Sequence, residues 1–307
     1  MASQLQAETV RIAVVGDVHD QWDEGDAIAL AHLNIDLVLF VGDFGNEAVE
    51  IVAHIADLPI PKAVILGNHD AWYTATPWGR RKSPYDRRQE DRVQQQLDLL
   101  GETHVGYGKL DFPAWGLSVV GGRPFSWGGS DWKNTDFYQT RFGVSGWEHS
   151  IQRLIHAVDR TTQDTLIFIG HCGPTGLGDR PESLCGRDWN PIGGDFGDPD
   201  LAAAIAHAQR IGKRVPLVTF GHMHHHLRHR RDRLREVFAQ DAAGTHYLNA
   251  ARVPRIVPRE GGCDRNFSVV TLRDRQVEQV EFVWIDHTLA VTREVIFTAP
   301  TSLGMGG

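Results

Sequence analysis

Five short blocks, each closing an apolar run, carry the side chains of this sequence best suited to chemistry: Gly16-Asp17-Val18-His19, Gly42-Asp43, Gly67-Asn68-His69-Asp70, Gly170-His171 and Gly221-His222-Met223-His224. Leaving His69 and Asp70 aside, they offer two carboxylates, one amide and four imidazoles. A mixed oxygen and nitrogen set of this kind suits a pair of divalent ions such as Mn, Fe or Zn. Two dications held close together repel strongly and need an anion between them. Neutral imidazoles and an amide can fill the remaining positions without cancelling the positive charge that attracts phosphate. The i, i+2 spacing of Asp17 with His19, and of His222 with His224, would aim each pair to one side of an extended chain.

Such residues must be brought together by the elements between them. His19 and Asp43 lie 24 residues apart, and Asp43 and Asn68 lie 25 apart, about one strand–helix–strand unit each time. A β/α sheet would then set the blocks along one edge, at the carboxyl ends of its strands. The runs 11–15, 36–41 and 62–66 read as buried strands closed by glycine, and 23–33 and 47–58 as helices between them. That alternation predicts an α/β sheet with crossover helices. Residues 71–88 turn polar and basic, as an insertion or lid would, and 87–100 reads as a helix stopped by Gly101. Strands are expected at 109–112, 117–120, 165–169, 216–220, 245–249, 267–272 and 277–285, and a helix at 145–160. The last two strands would form a hairpin through Arg273-Asp274-Arg275, although that turn lacks the usual glycine. Glycine-rich stretches at 121–129 and 173–197 read as loops over a site. No linker or repeat marks a boundary, so residues 1–307 are expected to form one domain.

Charge and composition exclude some functions. With 31 basic and 39 acidic residues the net charge is −8, which supplies no overall cationic field for long nucleic acid. Cys172, Cys185 and Cys263 form no C-x-x-C and no even framework, which argues for a reducing compartment and against a disulfide or zinc-finger scaffold. The first ten residues lack a basic stretch followed by a long apolar one, and no apolar run approaches the ~20 residues of a membrane span. The expectation is a cytoplasmic protein with no membrane partner.

The five blocks, in this order, resemble the signature of the calcineurin-like metallophosphoesterases: D-x-H, G-D, G-N-H-[DE], G-H and G-H-x-H, over residues 11–226. The resemblance implies a four-layer α/β/β/α sandwich of two packed mixed sheets flanked by helices, completed by strands from residues 227–307. Periodicity alone does not separate this from a doubly wound sheet. The resemblance further implies that Asp17, His19 and His224 hold one ion, that Asn68, His171 and His222 hold a second, and that Asp43 bridges the two. The activity implied is hydrolysis of a phosphomonoester or phosphodiester by a metal-bound hydroxide at this dinuclear centre. His69 would serve as general acid or stabilise the leaving-group oxygen, and Asp70 would orient a neighbouring group. The expected partner is a small phosphorylated substrate. A small-nucleotide or cyclic-nucleotide phosphodiesterase or nuclease is the alternative. A non-catalytic metal-binding scaffold of the same fold is disfavoured, because all seven ligands and His69 are kept.

One stretch departs from part of the family. Protein phosphatases of this fold read G-D-x-x-D-R-G after the bridging carboxylate, whereas here Asn46 stands in the second aspartate's place and Glu47 in the arginine's. That argues against a Ser/Thr protein phosphatase. For the substrate, Arg123 in the 121–129 loop and Arg187 in the second loop are the expected anion contacts, with Trp127 and Trp132 as stacking surfaces. His225, His226 and His229 read as a solvated run, Cys172 as a small packed residue, and Asp20 and Asp26 as turn or capping groups.

Overall fold

The computed structural model describes residues 9–300. The chain opens with β1 (Thr9–Val15), α1 (Glu24–His32), β2 (Leu37–Phe40), α2 (Val49–Ala56) and β3 (Lys62–Val64), the alternation expected from the first three blocks. Then come α3 (Pro77–Lys82), α4 (Arg92–Leu100), β4 (Lys109–Phe112), β5 (Leu117–Gly121), α5 (Thr135–Phe142) and α6 (Trp147–Asp159). β6 (Thr165–Ile169), α7 (Pro199–Arg210) and β7 (Arg214–Phe220) carry the chain to the last block. Six strands follow: β8 (Phe238–Gln240), β9 (His246–Asn249), β10 (Ile256–Arg259), β11 (Gly262–Arg273), β12 (Gln276–Ile285) and β13 (Val291–Thr298). α1 begins at a reciprocal cap between Asp23 and Asp26, and α4 ends at Gly101 in a left-handed conformation (φ 49°), which glycine adopts without strain. α3, α5, α7, β8, β10 and β13 have no counterpart in the sequence reading. Most are short, and the alanines of α7 dilute its apolar period.

The strands form two mixed sheets. One runs β13-β12-β11-β1-β2-β3, with β10 paired to β11; the other runs β4-β5-β6-β7-β9-β8. β1, β2 and β3 are parallel, as are β5, β6, β7 and β9, so the loops that carry the five blocks leave their strands in register. β11 lies antiparallel to β1, pairing Val14 with Ser268. The β11–β12 hairpin turns through Asp274 and Arg275 at φ 50° and 63°, the left-handed pair that a two-residue turn needs even without glycine.

Side-chain alternation sorts the core into layers. Val10, Ile12 and Val14 of β1 and Leu37 and Leu39 of β2 share one apolar cluster with Leu117, Ile167 and Leu217 of the other sheet. The intervening residues Ala13, Val15, Val38 and Phe40 pack instead with Leu30, Val52 and Ile55 of α1 and α2. On the second sheet Leu166, Phe168 and Val218 meet Leu154, Leu201 and Ala204 of α6 and α7 in the same way. The result is the four-layer α/β/β/α sandwich, its two sheets face to face and helices outside. None of the described helices is long and apolar enough to cross a membrane.

Candidate metal centre

Each block sits where a parallel strand has just ended, and backbone bonds lace these loops together. Asp17 N donates to Gly42 O (3.0 Å) and His19 N to Asp43 O (2.9 Å), while Gly221 N donates to His171 O (2.9 Å). Two further bonds cross between the sheets: His171 Nδ1 to Val41 O (2.8 Å) and His222 N to Asp17 Oδ2 (2.9 Å). The backbone here is not extended, contrary to the i, i+2 reading. Asp17, His19, Asp43 and His222 hold φ at 50°, 44°, 57° and 65°. Left-handed backbone at non-glycine residues costs on the order of 1–3 kcal/mol each and persists only where the surroundings enforce it. A Cβ on Gly42 (φ 92°) would strike the Gly67 backbone or the His171 ring, and one on Gly67 would strike Asp43 or the same ring.

The seven expected ligands converge. Ligand atoms of Asp17, His19 and His224 lie within 4.8 Å of one another, as do those of Asp43, His171 and His222. Asp43 also groups with His19 and His69, so its carboxylate stands between the two sets. Asn68 Oδ1 is 3.0 Å from His171 Nε2.

The donor chemistry fits a cation. Val41 O can only accept, so His171 Nδ1 carries the hydrogen and its Nε2 presents a lone pair. In the neutral ring that lone pair faces two acceptor oxygens, Asn68 Oδ1 (3.0 Å) and Asp43 Oδ1 (3.3 Å), with His222 Nδ1 beside them at 3.1 Å. Asp17 Oδ1 is buried with no hydrogen-bond donor of its own, and the ring nitrogens of His224 (3.3 Å) and His19 (3.9 Å) face it. Without an ion, a proton must take its place. Burial opposes charge on His171, yet the Asp43 carboxylate overrides it and lifts the imidazole to about 9. Asp43 is likewise held well below the usual carboxylate range, against its burial, by His171 and His69. His222 goes the other way, pushed down to about 3 by burial and by its neighbour His171.

His69 and Asp70 divide two tasks. His69 Nδ1 donates to Asn46 Oδ1 (2.6 Å), which leaves Nε2 toward the centre, 3.9 Å from Asp43 Oδ2. Trp72 stacks on the His69 ring at 4.4 Å and 17°, and Trp127 lies against Trp72 at 5.5 Å and 21°. Burial is the main cause that lowers the His69 pKa. Asp70 faces away from the centre. Its carboxylate accepts from the backbone of Asp43 (3.0 Å), Phe44 (2.9 Å) and Gly67 (2.7 Å), tying the loop after β2 to the loop after β3. Asn46 thus fills the position at His69 that the sequence marked only as a departure. Glu47 turns away into a buried site, accepting from Tyr73 N (2.9 Å) and the Tyr85 hydroxyl, so it anchors the 71–88 insertion.

The match to a family model decides the class. The calcineurin-like phosphoesterase model covers residues 10–226. The chain belongs to the calcineurin-like phosphoesterases. As a member, it is a metal-dependent hydrolase acting on phosphate esters. No curated protein matches the chain. A solved crystal structure 10% identical shares the fold at a TM-score of 0.51, over 94% of this chain and 100% of its own. Others are a dimetal phosphatase from Danio rerio (12% identity, 93% and 98% covered, TM-score 0.46) and a metallophosphoesterase from Sphaerobacter thermophilus (15%, 94% and 90%, 0.35).

A cavity of about 330 Å³ adjoins the phosphoesterase centre, and Asp43, Asn68, His69, His222 and His224 line it. Trp127 lines it too, but the other expected substrate contacts do not. Arg123 is a correction: it is buried and held by Asp198 (2.6 Å) and Asp200 (3.0 Å), so its guanidinium is spent inside the protein. Trp132 packs against Arg123 and Trp147. Arg187 donates to Gly193 O (3.0 Å) within its own loop and is absent from the cavity lining. His225 is a second correction: far from being solvated, it is buried, donates from Nε2 to Asn249 O (3.0 Å) and packs on Phe282. Among the residues that line the cavity and that sequence reasoning missed are Lys133, Asp188, Trp189, Phe196 and Arg228. The five arginines between 228 and 235, directly after the last block, were the signal available for Arg228.

Proposed function

We propose that this protein hydrolyses small phosphomonoesters or phosphodiesters at a dinuclear centre in which Asp17, His19 and His224 hold one ion, Asn68, His171 and His222 the other, and Asp43 both. The observation that carries the reading is the lone-pair face of His171 Nε2 toward an amide oxygen, a carboxylate and a second imidazole. Positive charge at the centre of this arrangement stabilises it, and a bound cation would supply that charge. Two divalent ions, Mn, Fe or Zn, would supply charge for the phosphoryl oxygens and acidify water towards neutrality.

The chain's own residues do the rest. Asp43 keeps its carboxylate ionised between the two ligand sets, and His171 is kept in one tautomer by Val41 O. His69, oriented by Asn46 and Trp72, presents Nε2 to the cavity, where its imidazolium form would give a proton to the leaving oxygen or donate a hydrogen bond to it. Asp70 positions the loops that carry Asp43 and Asn68 without touching substrate. On this reading residues 1–307 are one domain, because β11 pairs with β1 inside the sheet that bears the first three blocks. A cytoplasmic setting suits the three free cysteines.

The test is hydrolysis of p-nitrophenyl phosphate and bis-p-nitrophenyl phosphate by metal-stripped protein to which Mn is returned. Mn-dependent cleavage supports the proposal and the preferred ester sorts monoesterase from diesterase. Silence on both, with two ions bound, would favour a scaffold.

A further inference from the structure

Three cations line the cavity beside the centre; Arg235 is paired with Asp188, and the other two are not used by the proposed chemistry. Lys133 Nζ donates to Gly128 O (3.1 Å) and lies 4.6 Å from the centroid of the Phe196 ring. The Arg228 guanidinium lies 5.4 Å from the Trp189 ring, and Trp189 meets Phe196 edge-on at 4.8 Å. All four residues line the same cavity as Asp43, His69 and His222. Aromatic faces hold a cation in place without neutralising it. Among the described residues neither Lys133 nor Arg228 has a carboxylate within the 4.0 Å of an ion pair. The nearby Asp188 is matched by the buried Arg235 at 3.3 Å, and it accepts from Arg228 only at the backbone (2.8 Å). Two positive charges thus stand without a direct ion-pair partner next to a centre that would itself be positive.

A single phosphate ester has its charge met at the metal centre and leaves both cations unanswered. A second dianionic group would answer them: Arg offers a planar fork that matches phosphate oxygens and Lys a compact ammonium. We propose that Lys133 and Arg228 form a subsite for a second phosphoryl group, so that the preferred substrates carry phosphate at two positions. This deepens the phosphoesterase reading of the same cavity and rests on it.

The experiment compares adenosine 3′,5′-bisphosphate with adenosine 5′-monophosphate, which share the base and sugar. Mn-loaded protein is used, with released phosphate giving kcat/KM and calorimetry giving binding. Charged hydrogen bonds of this kind predict a preference for the bisphosphate of roughly ten- to a hundredfold in both readouts. The ratio between the two nucleotides should fall towards one in Lys133→Met and in Arg228→Gln, whatever happens to the absolute rates. Equal binding and equal kcat/KM in the unaltered protein would overturn the subsite while bis-p-nitrophenyl phosphate cleavage still upheld the phosphoesterase. A preference that survives both substitutions would also overturn it. If no ester is cleaved, the phosphoesterase reading fails, and calorimetry still decides the subsite.

Discussion

Replacing Asp70 by asparagine tests how the centre is held. The carboxylate receives three backbone N–H groups and is buried, with Gly67 N and Asp43 N on one oxygen and Phe44 N on the other. An asparagine can keep its oxygen towards Gly67 and Asp43, but its NH₂ then confronts Phe44 N–H. One buried donor is stranded, which costs about 1–3 kcal/mol. The two loops joined by this carboxylate carry Asp43 and Asn68, so metal affinity should drop as well, by roughly ten- to a hundredfold as for other groups that orient ligands. Urea unfolding of the metal-free proteins reads the first effect, with the slope unchanged. Metal titration reads the second. Burial and the Asp43 charge push the Asp70 carboxyl up, whereas the three N–H donors favour the anion. A protonated Asp70 would present O–H where the asparagine presents N–H, and the substitution would then cost little. A loss below about 0.5 kcal/mol, the scatter of neutral substitutions, would therefore refute the reasoning.

Further expectations follow from the same geometry. Asp43→Asn should lose metal and hydrolysis together, read by metal analysis beside turnover, since its charge serves both ligand sets. His69→Asn should retain metal and slow esters with poor leaving groups most; equal slowing across a leaving-group series would count against a role at the leaving oxygen. Arg123→Met should destabilise the fold by about 3–5 kcal/mol in urea unfolding, because Asp198 and Asp200 are left buried without their cation. His225 gives a pH signature. Burial pushes its pKa down to about 3, while the unfolded imidazole titrates near ~6.5, so between these values the unfolded chain binds more protons. Its contribution is complete above ~6.5 and is lost as pH falls, by about 2 kcal/mol at pH ~5; His225→Gln should flatten that part of the stability profile.

Much of the candidate site was legible because its proposed ligands obey a local rule: each block opens on a glycine that closes an apolar run, and the parallel strands do the gathering. What escaped depends on distance along the chain. Arg123 looked like an anion clamp because its loop is glycine-rich, while its partners Asp198 and Asp200 lie 75 and 77 residues further on. His225 looked like one more solvated histidine because its acceptor, Asn249 O, is 24 residues away. Asn46 was legible as a substitution but not as a hydrogen-bond partner, since only the folded loop brings it to His69 Nδ1. The left-handed turns at Asp17, His19, Asp43 and His222 carry only a weak signature in residue type: aspartate and histidine are enriched at positive φ, but most of them lie elsewhere.

The place of β11 sets an order of events during synthesis. β1 emerges first and bears the Asp17 and His19 block at its end, yet one of its two edges is reserved for a strand encoded about 250 residues later. At about 5–20 residues per second on the ribosome, that edge stays open for roughly ten to fifty seconds. During this time its backbone groups are free to pair with another nascent chain. A polypeptide released just after His224 would own every proposed ligand while lacking both β11 and β9, the neighbours of β1 and β7. Ownership of the ligands and possession of a working centre are thus separated in time, and the last strands made are the ones that close the sheets around the first residues made.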